Sequence, residues 1–166
     1  GNKEGFLNLA FYDIDENHFD WEVISNSDIE HVVLNEEKDI LVWVENVDGY
    51  SKIYIKNIKS LEIFKIDKIP DGVISKIKIT PDAQKIVFLL STAISPYDIY
   101  VYDFKIDELK KLTNSFKNLV PYNLMRAPKL VRYNSFDNEP IAAFLYLPTE
   151  KFMKNDFVRF LCDFVR

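Results

Sequence analysis

Few residues of this 166-residue chain are placed to do covalent or acid–base chemistry. A serine nucleophile needs a tight elbow of the form G-x-S-x-G, and a histidine and an acid to activate it. The glycines are Gly1, Gly5, Gly49 and Gly72, and none of them frames such an elbow. Gly49-Tyr50-Ser51 comes nearest, but it lacks the second glycine and falls in an expected hairpin turn. His18 lies beside Asp13, Asp15 and Glu16. That set reads as a metal site or, more simply, as carboxylates in a solvated turn. His31 opens an apolar strand and reads as a half-buried structural residue. Cys162 has no histidine after it and reads as a small buried side chain rather than a nucleophile. No catalytic, cofactor-binding or metal-ligating residue is assigned, and no cofactor is expected.

The elements around these residues are strands. Hydrophobic residues make up 48% and charged residues 28%, which is the balance of a globular chain. Net charge is −5, with acids and bases interspersed, so no basic footprint for nucleic acid is present. No apolar run approaches membrane-spanning length, and the polar N-terminus does not read as a signal peptide. With a single cysteine no intrachain disulfide forms, and the expected compartment is the reducing cytoplasm.

An internal repeat sets the architecture. Ile40-Leu-Val-Trp-Val44 aligns with Ile86-Val-Phe-Leu-Leu90, an offset of 86 − 40 = 46. Ile53–Ile58 aligns with Ile99–Phe104, again 99 − 53 = 46, and Leu9–Ile14 aligns with Ile53–Ile58 at 53 − 9 = 44. Units of this length with several short strands each are the mark of propeller blades. One unit is predicted from Ile29–Leu34, Ile40–Val44, Tyr50–Asn57 and Leu61–Ile66. The next is predicted from Ile74–Thr80, Lys85–Leu90, Asp98–Asp103 and Glu108–Leu112. The first segment supplies an outer pair, about Leu7–Asp13 and Trp21–Ser25. Turn signals separate them at Asp48-Gly49, Asp71-Gly72, Pro81-Asp82 and Ser95-Pro96. Trp21 and Trp43 read as packing residues between blades. A plain antiparallel sandwich is the rival architecture, and it leaves the repeat unexplained.

Past the repeat, Leu130–Tyr133 and Ile141–Leu147 read as two strands joined by the polar turn Asn134–Pro140. Asn114–Pro128 reads as a connector, with room for a short helical turn within Asn118–Arg126. In the tail, Phe157, Phe160, Leu161 and Phe164 fall at i, i+3, i+4 and i+7, which predicts an amphipathic helix capped by Asn155 or Asp156. A frayed terminus is the alternative there. The fold class expected is therefore all-β: a partial β-propeller of about two and a half four-stranded antiparallel blades, a β-hairpin and a short C-terminal helix. The expected divisions are propeller 1–113, connector 114–128, junction hairpin 129–148 and tail 149–166.

The junction carries a family resemblance. Val131, Tyr133, Ser135, Asp137, Ile141, Leu145, Tyr146 and Pro148 resemble the pattern v-x-Y-x-S-x-D-G-x-x-I-x-x-x-L-Y-x-P of the prolyl oligopeptidase family of serine peptidases. Asn138 stands where that family has Gly, and Asn also tolerates a left-handed turn. Asn46–Tyr54 resembles N-x-D-G-Y-S-x-L-Y of the acylaminoacyl-peptidase and dipeptidyl-aminopeptidase branch. Thr80-Pro81-Asp82 resembles its S-P-D-G turn, with Ala83 for Gly, and Leu109–Thr113 resembles e-L-x-x-L-T. The resemblance covers Leu7 to Pro148. It implies a propeller that gates access of short peptides to a catalytic α/β-hydrolase domain lying beyond Pro148. The family's triad would belong to that domain, so this chain alone is expected to be inactive. Two other readings are open: a self-associating interaction module, most simply a homodimer, or a propeller scaffold unrelated to peptidases.

Overall fold

Alternating apolar residues and two-residue turns fix the strands. The computed structural model describes residues 1–3, 5–115, 125–147 and 161–164. Two short pairs come first. β1 (Asn2–Lys3) pairs with β2 (Phe6–Leu7), and β3 (Leu9–Asp13) with β4 (His18–Val23). A four-stranded antiparallel blade follows: β5 (Asp28–Leu34), β6 (Ile40–Val47), β7 (Tyr50–Asn57) and β8 (Ile63–Lys65). A second blade repeats it with β9 (Val73–Ile79), β10 (Lys85–Thr92), β11 (Ser95–Asp103) and β12 (Glu108–Lys111). The last sheet contains β13 (Lys129–Asn134), β14 (Pro140–Tyr146) and β15 (Leu161–Phe164), in that order. The expected strands are thus present within a few residues, as a partial propeller followed by a hairpin.

The tail differs from expectation. Leu161–Phe164 is not helical: it is a strand, antiparallel to β14, with Ala143 opposite Phe164 and Tyr146 opposite Leu161. Helical periodicity in so short a stretch gives way to an open strand edge that offers backbone partners. The rest of the helix expected over 149–166, and 116–124 of the connector, lie outside the described residues.

The first blade is apolar on both faces because it packs on both sides. Val42, Val44, Ile53 and Ile55 of the first blade meet Ile74, Ile77, Ile86, Phe88, Leu90, Tyr100 and Tyr102 of the second in one buried cluster. On the opposite face Leu41 and Trp43 pack with Ile29, Tyr54, Leu9 and Val23. Each of these large side chains contributes roughly 1.5–3 kcal/mol by leaving water.

The repeat needs one correction. Trp43 stacks on Tyr54 (centroids 5.4 Å, 13°), and Phe88 stacks on Tyr100 (5.9 Å, 11°) in the same place. The equivalence is therefore 88 − 43 = 45 on the second strand and 100 − 54 = 46 on the third. The uniform offset of 46 would set Trp43 against Leu89, on the wrong face. A bulge between Leu90 and Thr92 absorbs the extra residue. Because side chains alternate with period two, a one-residue slip exchanges inside and outside.

Polar contacts tie the units at their buried edges. Trp43 Nε1–H donates to Glu45 Oε1 at 2.8 Å, and Ser25 Oγ–H donates to Glu45 Oε2 at 2.9 Å. Lys56 pairs with Glu22. Between the blades, Ile74 N–H donates to Ser51 Oγ at 2.9 Å, and the His31 ring Nε2–H donates to Ile74 O at 3.0 Å. Gly72 O accepts from Ser51 N–H at 2.8 Å. A Cβ on Gly72 would stand 2.2 Å from Ser91 O, so only glycine lets the strands approach here.

Candidate functional site: the seam between blade and junction hairpin

The junction hairpin folds as its turn chemistry requires. Asn138 takes the left-handed conformation (φ 68) that asparagine, like glycine, tolerates in a turn. Ser135 N–H donates to Glu139 O at 2.9 Å, and Asn138 N–H to Ser135 O at 3.1 Å. The Ser135 hydroxyl bonds Asp137, and that bond holds the Asp137 carboxyl below its usual range. The turn is thereby fixed, and β13 and β14 pair from Lys129 opposite Leu145 to Asn134 opposite Pro140.

This hairpin is seated on the β6–β7 turn of the first blade. Asp48 (φ 52) and Gly49 (φ 80) both lie in the left-handed region, which gives the two-residue turn that matches strand twist. Asn46 Oδ1 accepts from Gly49 N–H at 2.9 Å and stiffens it. Asp48 so placed forms an ion pair with Arg132 of β13, 84 positions away in sequence. Beside it the Tyr50 ring packs on Phe144 of β14 at 4.9 Å and 45°. Burial, and then the negative charge of Asp71, raise the Tyr50 hydroxyl above its ordinary pKa. Lys52 lies 5.6 Å from the Tyr50 ring centroid and pairs with Asp71 at 2.8 Å. A cavity of about 420 Å³ opens next to the seam, lined by Phe6, Asn26, Ser27, Asp28, Asn46, Val47, Asp48, Pro140 and Ala142.

The chemistry-bearing residues of the sequence are scattered. His18 is exposed at the start of β4, 3.2 Å from Asp20. Asp13 is occupied by the Asp15 and Glu16 N–H groups, at 2.9 and 3.0 Å, as in a plain Asx turn. His31 is spent on Ile74 O and Ser51 on the Ile74 amide, both structural contacts. The seam itself escaped prediction. The motif Asn46–Gly49 was visible, but its partner Arg132 has no local signal.

One buried carboxylate was also missed. Asp98 is 1% exposed and accepts from Ser115 N–H and Thr113 Oγ1, both at 2.8 Å, and from Ser95 Oγ at 3.1 Å. Lys111 Nζ stands 2.6 Å away. Burial pushes this carboxyl up, yet the lysine and the donors together hold it well below the usual carboxylate range. Asp98 pins residues 113–115 to the end of the second blade, and its role is structural.

No protein-family model matches the sequence, and no curated protein matches it. Solved structures do. A puromycin hydrolase superposes with a TM-score of 0.69 at 12% identity, over 87% of this chain and 22% of that one. Prolyl oligopeptidase B from Galerina marginata, bound to a 35mer hydrolysis and macrocyclization substrate, matches with a TM-score of 0.65 at 17% identity, over 83% of this chain and 20% of its own. At the level of fold, the chain is a partial propeller of the prolyl-oligopeptidase type. A puromycin-hydrolyzing peptidase from Mycobacterium tuberculosis agrees, with a TM-score of 0.64 at 10% identity over 80% of this chain and 21% of that one. The chain thus spans about a fifth of the length of each of these structures.

Proposed function

We propose that this chain is the non-catalytic propeller part of a prolyl-oligopeptidase-like serine peptidase, in the acylaminoacyl-peptidase branch. The parent would hydrolyse short peptides, with the propeller restricting access to a catalytic domain that follows the junction. The observation that carries this reading is the docked hairpin. The strands bearing the junction sequence are held on a blade turn by Asp48–Arg132 and Tyr50–Phe144. The absence of a second cysteine supports a cytoplasmic location. Hydrolysis of short chromogenic peptides tests the proposal. The chain alone should be silent, and the chain joined to the polypeptide encoded downstream should cleave them. Cleavage by the chain alone would overturn the non-catalytic assignment.

A second reading, self-association, rests on the half-buried far face of the second blade. Val87, Leu89, Ile99 and Val101 form an apolar stripe there, in the positions that Val42, Val44, Ile53 and Ile55 occupy in the first blade. At the other end Tyr12, Phe19 and Trp21 are 47%, 60% and 39% exposed. Faces of this kind mark interfaces. A homo-oligomer, most simply a twofold dimer, is the state this reading expects in light scattering. A monomer at high protein concentration would remove it.

A further inference from the structure

We infer that the cavity beside the seam is a binding site for an organic cation, a guanidinium or primary ammonium carried on a peptide. Three separate parts of the chain wall it: Phe6 with Asn26–Asp28, the Asn46–Asp48 strand end, and Pro140 with Ala142 of the hairpin. One wall is acidic. Asp28 accepts from Leu7 N–H through Oδ1 at 2.7 Å, and its Oδ2 has no donor among the described residues. Asp48 also lines the cavity, its charge shared with Arg132. Phe6, Val47, Pro140 and Ala142 supply apolar lining.

The chemistry of this lining selects among ligands. An anion would meet two carboxylates and, among the described lining residues, no free cation, since Arg132 is committed to Asp48. A divalent metal ion would want about six oxygen donors, and one uncommitted carboxylate is too few. A cationic head on an apolar stem satisfies both kinds of lining. The head donates a charge-assisted bond to Asp28, with the Asn26 and Ser27 side chains as further acceptors. The stem covers Val47, Pro140 and Ala142, and the Phe6 ring offers a face to the charge. A volume of about 420 Å³ falls in the range of small-ligand sites. That the cation belongs to a peptide rests on the proposed function, whereas cation binding itself does not.

Titration calorimetry on the full chain tests this with three probes. Nα-acetyl-argininamide carries only a side-chain cation, leucinamide only an α-ammonium, and Nα-acetyl-citrullinamide is the neutral isostere of the first. One of the two cations should bind, and which one binds tells side chain from amino terminus. Citrullinamide should bind about tenfold more weakly than argininamide, or not at all. Asp28→Asn keeps the acceptor for Leu7 N–H, so it should fold normally and weaken the bound cation about tenfold or more. Ser27→Arg, which fills the cavity with a tethered guanidinium, should abolish binding. Equal binding of citrullinamide and argininamide, an unchanged affinity in folded Asp28→Asn, or no heat from either cation up to about 10 mM would each overturn the site. None of these outcomes bears on whether the chain belongs to a peptidase, which the hydrolysis assay reads separately.

Discussion

At the scale of single residues, the buried polar groups of the last blade make its stability sensitive to pH at both extremes. Asp98 has a folded pKa below its unfolded value, which is about 3.9. Its contribution is therefore complete above that value and is lost as pH falls through and below it. Asp98→Asn should destabilise the chain by about 1–3 kcal/mol at neutral pH, read by denaturant unfolding, and should flatten the acid limb. Tyr102 acts at the other end. Burial, and then its bond to Asp107, push its hydroxyl up to about 12. An unfolded tyrosine ionises near 10, so Tyr102 stabilises the fold below about pH 10 and loses that contribution as pH rises toward 12. Thermal melts of wild type and Tyr102→Phe between those pH values should converge, and parallel curves would contradict the assignment.

At the scale of elements, strands were legible because alternation and turn chemistry are local. Tyr50–Asn57 was predicted with both ends correct, since Asp48-Gly49 begins it and Asn57 ends it by accepting the Lys59 and Ser60 amides. The facing of the second strand was not legible. It depends on a bulge at Leu90–Thr92 that sequence similarity of apolar runs does not reveal. Nor was the fate of Leu161–Phe164, because an apolar run of that length pairs with whichever edge is near. One turn departs from the family pattern at a measurable cost. Ala83 sits at φ 53 with its N–H donating to Thr80 O at 2.8 Å, where a glycine would be unstrained. Ala83→Gly should raise stability by about 0.5–1 kcal/mol net of chain entropy, seen as a higher denaturation midpoint.

At the scale of the whole molecule, the seam decides how propeller and hairpin behave as one body. Its members, Asp48, Tyr50, Arg132 and Phe144, come from strands far apart in sequence, so no local pattern could pair them. The junction motif was readable, while its docking was not. Phe144→Ala removes the aromatic contact, and Arg132→Ala removes the ion pair. Arg132 is 59% exposed, so the ion pair alone is worth about 0–1 kcal/mol. Hydrogen exchange in β13 and β14 should therefore speed up strongly in Phe144→Ala and slightly in Arg132→Ala, with the two blades unchanged. Equal protection in both variants would mean that the hairpin stands independently of the blade.

The proposed role of this propeller in a peptidase is tested most directly by sequencing the source DNA beyond the codon for Arg166. The account predicts a reading frame that encodes a His-Gly-Gly-Pro-like oxyanion loop, then G-x-S-x-G, and later an acid and a histidine. A downstream sequence with none of these in any frame would contradict it, and would leave self-association as the function to pursue.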